Sequence, residues 1–157
     1  MNNKQLLQKY VDTGIKLPEY QVKSLPDGLK NTYIRKRLIA IEDSRSELDD
    51  YEYELLTQEQ KIDYIMKVSG YGYGISYKQF EPLTPDQRLR YAIKMIENGY
   101  NITNKQFELL TPEQRFQYAM KITENPLYLP IFRYQFELLT PEQQKVYKDN
   151  GGQVGVF

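Results

Sequence analysis

Residues 107–125, FELLTPEQRFQYAMKITEN, recur along the chain, and that recurrence limits what it can fold into. Related copies begin at Phe80 (FEPLTPDQRLRYAIKMIEN), Tyr53 (YELLTQEQKIDYIMKVSG) and Phe136 (FELLTPEQQKVYKDN), and a degraded copy begins at Val22 (VKSLPDGLKNTYIRK). The anchors Val22, Tyr53, Phe80, Phe107 and Phe136 lie 31, 27, 27 and 29 residues apart. A period of this length marks an architecture in which each unit buries its apolar face against the next.

Each copy carries a helix start. In Thr111-Pro112-Glu113-Gln114 the threonine caps free backbone N–H groups, and the proline sits where no N–H is needed. Gln114 completes a capping box, and Glu113 suits the positive end of the helix dipole. Thr84-Pro85-Asp86-Gln87 and Thr140-Pro141-Glu142-Gln143 repeat the device, while Thr57-Gln58-Glu59-Gln60 lacks only the proline. Behind each cap, helical spacing places Phe116, Ala119, Met120 and Thr123 on one inward face, and likewise Leu89, Ala92, Ile93 and Ile96. Tyr118 with Ile122 and Tyr91 with Met95 widen that arc, and Lys67, Lys94 and Lys121 fall on the opposite face.

A short element, 104–110, precedes the cap, with Phe107 and Leu110 facing inward. Gly72-Tyr73 and Gly99-Tyr100 link successive units, with Ile75 and Ile102 beneath them. The spacing predicts an N-terminal helix over 4–13 stopped at Gly14, and 6–25 aligns without gaps on 91–110. The weak copy predicts a helix over 28–40, followed by a short helix and surface loop in the acidic stretch 41–50. At 125–130 two prolines replace the usual Asn-Gly turn.

These features predict an all-α chain. It reads as one domain over 1–157, a short α-solenoid of four to five helix-turn-helix repeats opened by a partial repeat at 1–21 and closed by a tail at 150–157. In principle it resembles the tetratricopeptide, Sel1-like and HEAT class. Its period is shorter than the roughly 34 residues of a tetratricopeptide unit, the Trp-Leu-Gly pattern of that unit is absent, and no named family follows from the motifs.

Composition narrows function. Twenty-one basic and twenty-one acidic residues balance, which gives no bulk attraction to nucleic acid or anionic membrane. There is no Cys and no His, so the usual nucleophile–base pairs and transition-metal clusters are unavailable. The carboxylates Glu59, Asp86, Glu113 and Glu142 each belong to a first helical turn, one repeat apart, whereas acid–base pairs need close approach. Gly70-Tyr71-Gly72-Tyr73-Gly74 matches no phosphate-binding fingerprint. The sequence thus points to a protein that is not an enzyme and takes no metal or cofactor.

No stretch approaches the roughly 18 apolar residues of a membrane span, and the N-terminus lacks a signal-peptide core, so the expected location is the cytoplasm. Heavy use of Asn, Lys, Tyr and Ile is what an AT-rich genome favours, as in many phages.

The expected partner is another protein, with the chain itself a monomer or weak homo-oligomer. Tyr71, Tyr73, Tyr77, Tyr100 and Tyr128 fall on corresponding links and are candidate contact residues, since tyrosine is favoured at interfaces. The Lys67, Lys94 and Lys121 face is the second candidate surface. Two alternatives stand beside the binding module: a self-associating assembly component, and a single-stranded RNA reader using the alternation Lys61/Tyr64, Arg88/Tyr91 and Arg115/Tyr118. The tail Val154-Gly155-Val156-Phe157 reads as a cap for an open apolar end.

Overall fold

Seven of the eleven helices among the described residues start at a hydroxyl or amide residue three places before Gln. Thr84 illustrates the closed box: its Oγ1 accepts the Gln87 N–H at 3.3 Å, and its own N–H donates to Gln87 Oε1 at 3.0 Å. The same reciprocal pair forms at Thr57/Gln60, Thr111/Gln114 and Thr140/Gln143. It also opens two of the short helices, at Ser76/Gln79 and Thr103/Gln106, and the N-terminal helix at Asn2/Gln5.

The structure, a computed structural model, describes residues 2–125 and 129–156. The described residues are helical, with eleven helices and no strand beyond one isolated bridge between Ile131 and Val154. In order these are α1 (Asn3–Asp12), α2 (Glu19–Ser24), α3 (Asp27–Ser44), α4 (Asp50–Tyr53), α5 (Gln58–Gly70), α6 (Tyr77–Phe80), α7 (Pro85–Glu97), α8 (Asn104–Glu108), α9 (Pro112–Thr123), α10 (Arg133–Glu137) and α11 (Pro141–Asp149). From α2 onward short and long helices alternate. No helix among the described residues is long and apolar enough to cross a membrane.

Helix ends follow the expected chemistry at Gly72 and Gly99, whose φ of 82° and 83° lies in the left-handed region that glycine enters without strain. The end of α3 departs from expectation. It continues past Ala40 to Ser44, taking up residues read as a separate helix and loop, and stops at Arg45 with φ 51°. The Ser46 N–H then reaches back to the Ile41 carbonyl at 3.1 Å, which closes the last turn without glycine.

The chain divides into two compact units, Met1–Tyr64 and Ile65–Phe157, with the division inside α5. In the first, α1 packs on α3, and Val11, Leu17, Val22, Leu25 and Tyr33 form the core, flanked by Leu7, Leu29, Tyr51 and Leu55. A buried carboxylate lies beside it. Glu52 accepts the Tyr33 hydroxyl at 2.8 Å and Arg37 Nε at 2.7 Å, and Arg37 also donates to the Gly14 carbonyl at 3.2 Å.

In the second unit long helices pack side by side, α7 on α9 and α9 on α11, while α6 packs on α8 and α8 on α10. Amide side chains join one repeat to the previous one. Gln106 Nε2 donates to the Ile75 carbonyl at 3.0 Å and Gln135 Nε2 to that of Ile102 at 2.9 Å. Gln114 Nε2 donates to the Pro85 carbonyl at 2.9 Å, and Asn98 Nδ2 to that of Ser69 at 3.1 Å. Because Gln106 Oε1 also accepts the Thr103 N–H, one side chain both caps its helix and binds the neighbouring repeat.

The four repeats with an aromatic anchor also enclose an aromatic pair. Phe107 meets Tyr118 at 5.6 Å between ring centroids and Phe80 meets Tyr91 at 5.5 Å, both edge to face, with tilted pairs at Phe136/Tyr147 and, in the first unit, Tyr53/Tyr64. Edge-to-face contact matches the positive rim of one ring to the negative face of the other.

The apolar arc of the long helices needs a correction. Tyr91, Ala92, Met95 and Ile96 are buried, as are Tyr118, Ala119 and Ile122. Leu89, Ile93, Phe116, Met120 and Thr123, read from spacing as inward, are only half-buried. The bulky tyrosine and its neighbours fill the interior, which turns the other flank of the arc toward solvent.

Candidate functional site

Two surfaces carry the residues singled out from sequence. The first lies at the links. Tyr73 is 40 % exposed, Tyr77 41 % and Tyr100 51 %, so these rings are neither sealed nor free. Tyr71, half-buried, meets Tyr73 edge to face at 6.5 Å. The Tyr100 ring rests on the link of the previous repeat, where a Cβ added to Gly72 would come within 2.6 Å of Tyr100 Cε2. Glycine at 72 thus serves both the left-handed turn and the ring above it. Tyr77 is not on a link but opens α6, and Tyr128 lies outside the described residues.

The second surface is the outer flank of the long helices. Lys67 and Lys94 are exposed and Lys121 is half-buried. Lys94 pairs with Glu97 at 3.9 Å and Lys121 with Glu124 at 3.4 Å; such surface pairs contribute little and exchange readily. Beside them run half-buried apolar side chains at equivalent repeat positions: Met66 on α5, Leu89 and Ile93 on α7, Phe116 and Met120 on α9. An open hollow of about 370 Å³ is lined by Met66, Leu89, Arg90, Ile93, Lys94 and Glu97. In α11 the positions of Phe116 and Met120 are taken by Lys145 and Asp149, which pair with each other at 2.5 Å. That polar replacement is the sequence signal that these positions are not core.

The aromatic and basic alternation is accounted for internally. Tyr64, Tyr91 and Tyr118 are buried and leave no ring face for a base. Arg88 donates to the Leu109 carbonyl at 3.2 Å and also to that of Glu81, and Arg115 donates to the Phe107 and Glu108 carbonyls at 3.3 and 2.6 Å. Both guanidinium groups also lie 5.9 Å from a phenylalanine ring centroid, Phe80 and Phe107. Burial pushes the Tyr64 hydroxyl up to about 12, and raises those of Tyr33, Tyr118 and Tyr147 for the same reason.

Glu59, Asp86, Glu113 and Glu142 are all exposed in first helical turns. Among the described residues no group of three acidic side chains is placed to hold a metal ion. Comparison with models of protein families, with curated proteins and with solved structures finds no match.

Proposed function

We propose that this is a non-enzymatic helical-repeat protein, a short α-solenoid that binds another protein through the outer flank of its long helices. The observation that carries the reading is the row Met66, Leu89, Ile93, Phe116 and Met120. These large apolar side chains stand half-exposed at matching positions on three successive long helices, α5, α7 and α9, and give way to an ion pair on α11. Contiguous apolar surface rimmed by charge is where partners dock. Lys67, Lys94 and Lys121 supply the rim, and the half-exposed tyrosines Tyr73 and Tyr100 give a second contact edge. The cytoplasm is the proposed location.

The test is the double substitution Ile93→Glu and Met120→Glu in the full chain. The reading expects a protein partner held by the wild type to be lost, with the melting temperature little changed. Light scattering on the purified chain decides the second reading, which the same apolar row favours. If the wild type self-associates and the double variant is monomeric, the surface joins copies of this chain.

A further inference from the structure

At the last repeat an extended segment of the chain occupies a place that the inner repeats fill differently. The Ile75 and Ile102 carbonyls each accept a glutamine side chain from the following repeat. The equivalent carbonyl, that of Ile131, accepts the backbone N–H of Gly155 at 2.7 Å. The Ile131 N–H donates in turn to the Gln153 carbonyl at 3.0 Å, so residues 153 and 155 clasp Ile131 in a parallel bridge with Val154 opposite. Tyr147 donates its hydroxyl to the same Gln153 carbonyl at 2.5 Å, where Tyr118 donates to Asn101 Oδ1.

The fit selects a residue type. A Cβ on Gly152 would stand 2.4 Å from the Tyr147 ring, so only glycine passes under it. Backbone pairing at a sheet-like edge, with side-chain size read by a neighbouring ring, is how proteins take up extended peptides.

We propose that the edge formed by Ile131 and Tyr147 is a peptide-binding site for an extended Gly-Gln-Val-Gly segment. It is filled in cis by residues 152–155, and the same segment of a second copy fills it in trans when the resident one is released. The site is separate from the outer flank of the long helices, so its success or failure leaves the partner-binding reading untouched.

The probe is a synthetic peptide of sequence Asn-Gly-Gly-Gln-Val-Gly-Val-Phe, titrated onto three full-length proteins. In Gly155→Pro the N–H that binds Ile131 is gone, and in Gly152→Val the side chain strikes the Tyr147 ring; either change frees the edge. Both variants are expected to bind the peptide at least about tenfold more tightly than the wild type, whose own segment competes. The same peptide with proline in place of Gly155 should not bind. Equal binding by all three proteins, or no binding by either folded variant, overturns the proposal.

Discussion

The Tyr118 hydroxyl accepts the backbone N–H of Ile102 at 3.0 Å, from sixteen residues further along the chain. The same bond at the same separation joins Tyr91 to Ile75 and Tyr147 to Ile131, and in the first unit Tyr33 to Leu17 and Tyr64 to Leu48. Each repeat, the degraded first one included, therefore ties its long helix to the residue that leads into its short helix. That residue is buried in every case, where an unpaired N–H is costly.

Tyr118→Phe keeps the ring and removes the acceptor. Leaving the buried Ile102 N–H unpaired should cost about 1–3 kcal/mol, a fall of several degrees in melting temperature. Tyr100→Phe, on a half-exposed ring, is the control and should change little. Equal effects from the two would show that the hydroxyl bond is not a structural tie.

Alkaline pH should unfold the protein steeply. Burial raises the folded values of Tyr33, Tyr64, Tyr118 and Tyr147 above their ordinary 10.0. The native state then keeps protons that the unfolded chain gives up. This stability is fully present below about pH 10 and is lost as pH rises through the folded values, by ~1.4 kcal/mol per pH unit for each tyrosine still protonated. Urea midpoints measured at rising pH should fall together with the appearance of tyrosinate absorbance. A midpoint that stays flat through that range would contradict the burial of these hydroxyls.

Glu52 stands where the later repeats carry Gln79, Gln106 and Gln135. It is fully buried and shares its carboxylate with Arg37 and Tyr33. Restoring the repeat's own residue, Glu52→Gln, should therefore destabilise, by about 1–3 kcal/mol, because it strips a buried guanidinium of its counter-charge. Adding Arg37→Leu should recover part of that loss, and the double-mutant cycle measures the coupling. Additive effects would mean that the pair does not act as one.

The caps and anchors differ in weight. Thr111→Ala should cost about 1 kcal/mol, the usual value for a helix N-cap. Phe107→Ala should cost about 3 kcal/mol or more, since the ring is fully buried against Tyr118. Chemical denaturation of the two variants side by side separates these values, and similar small losses would place Phe107 outside the core.

Much of the helix order was legible because it is written in local chemistry. Thr-Pro-Glu-Gln starts a helix by caps and proline, and Gly72 and Gly99 end helices by backbone freedom, with no help from distant contacts. The reach of α3 to Ser44 was not legible, because Arg45 takes the left-handed turn without the glycine that would announce it. The outward turn of Leu89, Ile93, Phe116 and Met120 left a sequence trace only at α11, where Lys145 and Asp149 replace Phe116 and Met120. Spacing shows that an apolar arc exists, but its centre depends on how much of the interior Tyr91 and Tyr118 occupy. Double use of Gln106, as cap and as bond to the previous repeat, joins residues far apart in sequence and leaves no local trace.

Methyl NMR of the methionines tests the binding surface most directly. Met66 and Met120 lie on the outer flank, half-buried, while Met95 is buried inside the same helical layer and serves as an internal reference. On addition of a protein captured by the wild-type chain, the Met66 and Met120 methyl resonances should shift while that of Met95 stays in place. A partner that binds while both outer methionines remain unmoved would contradict the assignment of this flank as the docking surface.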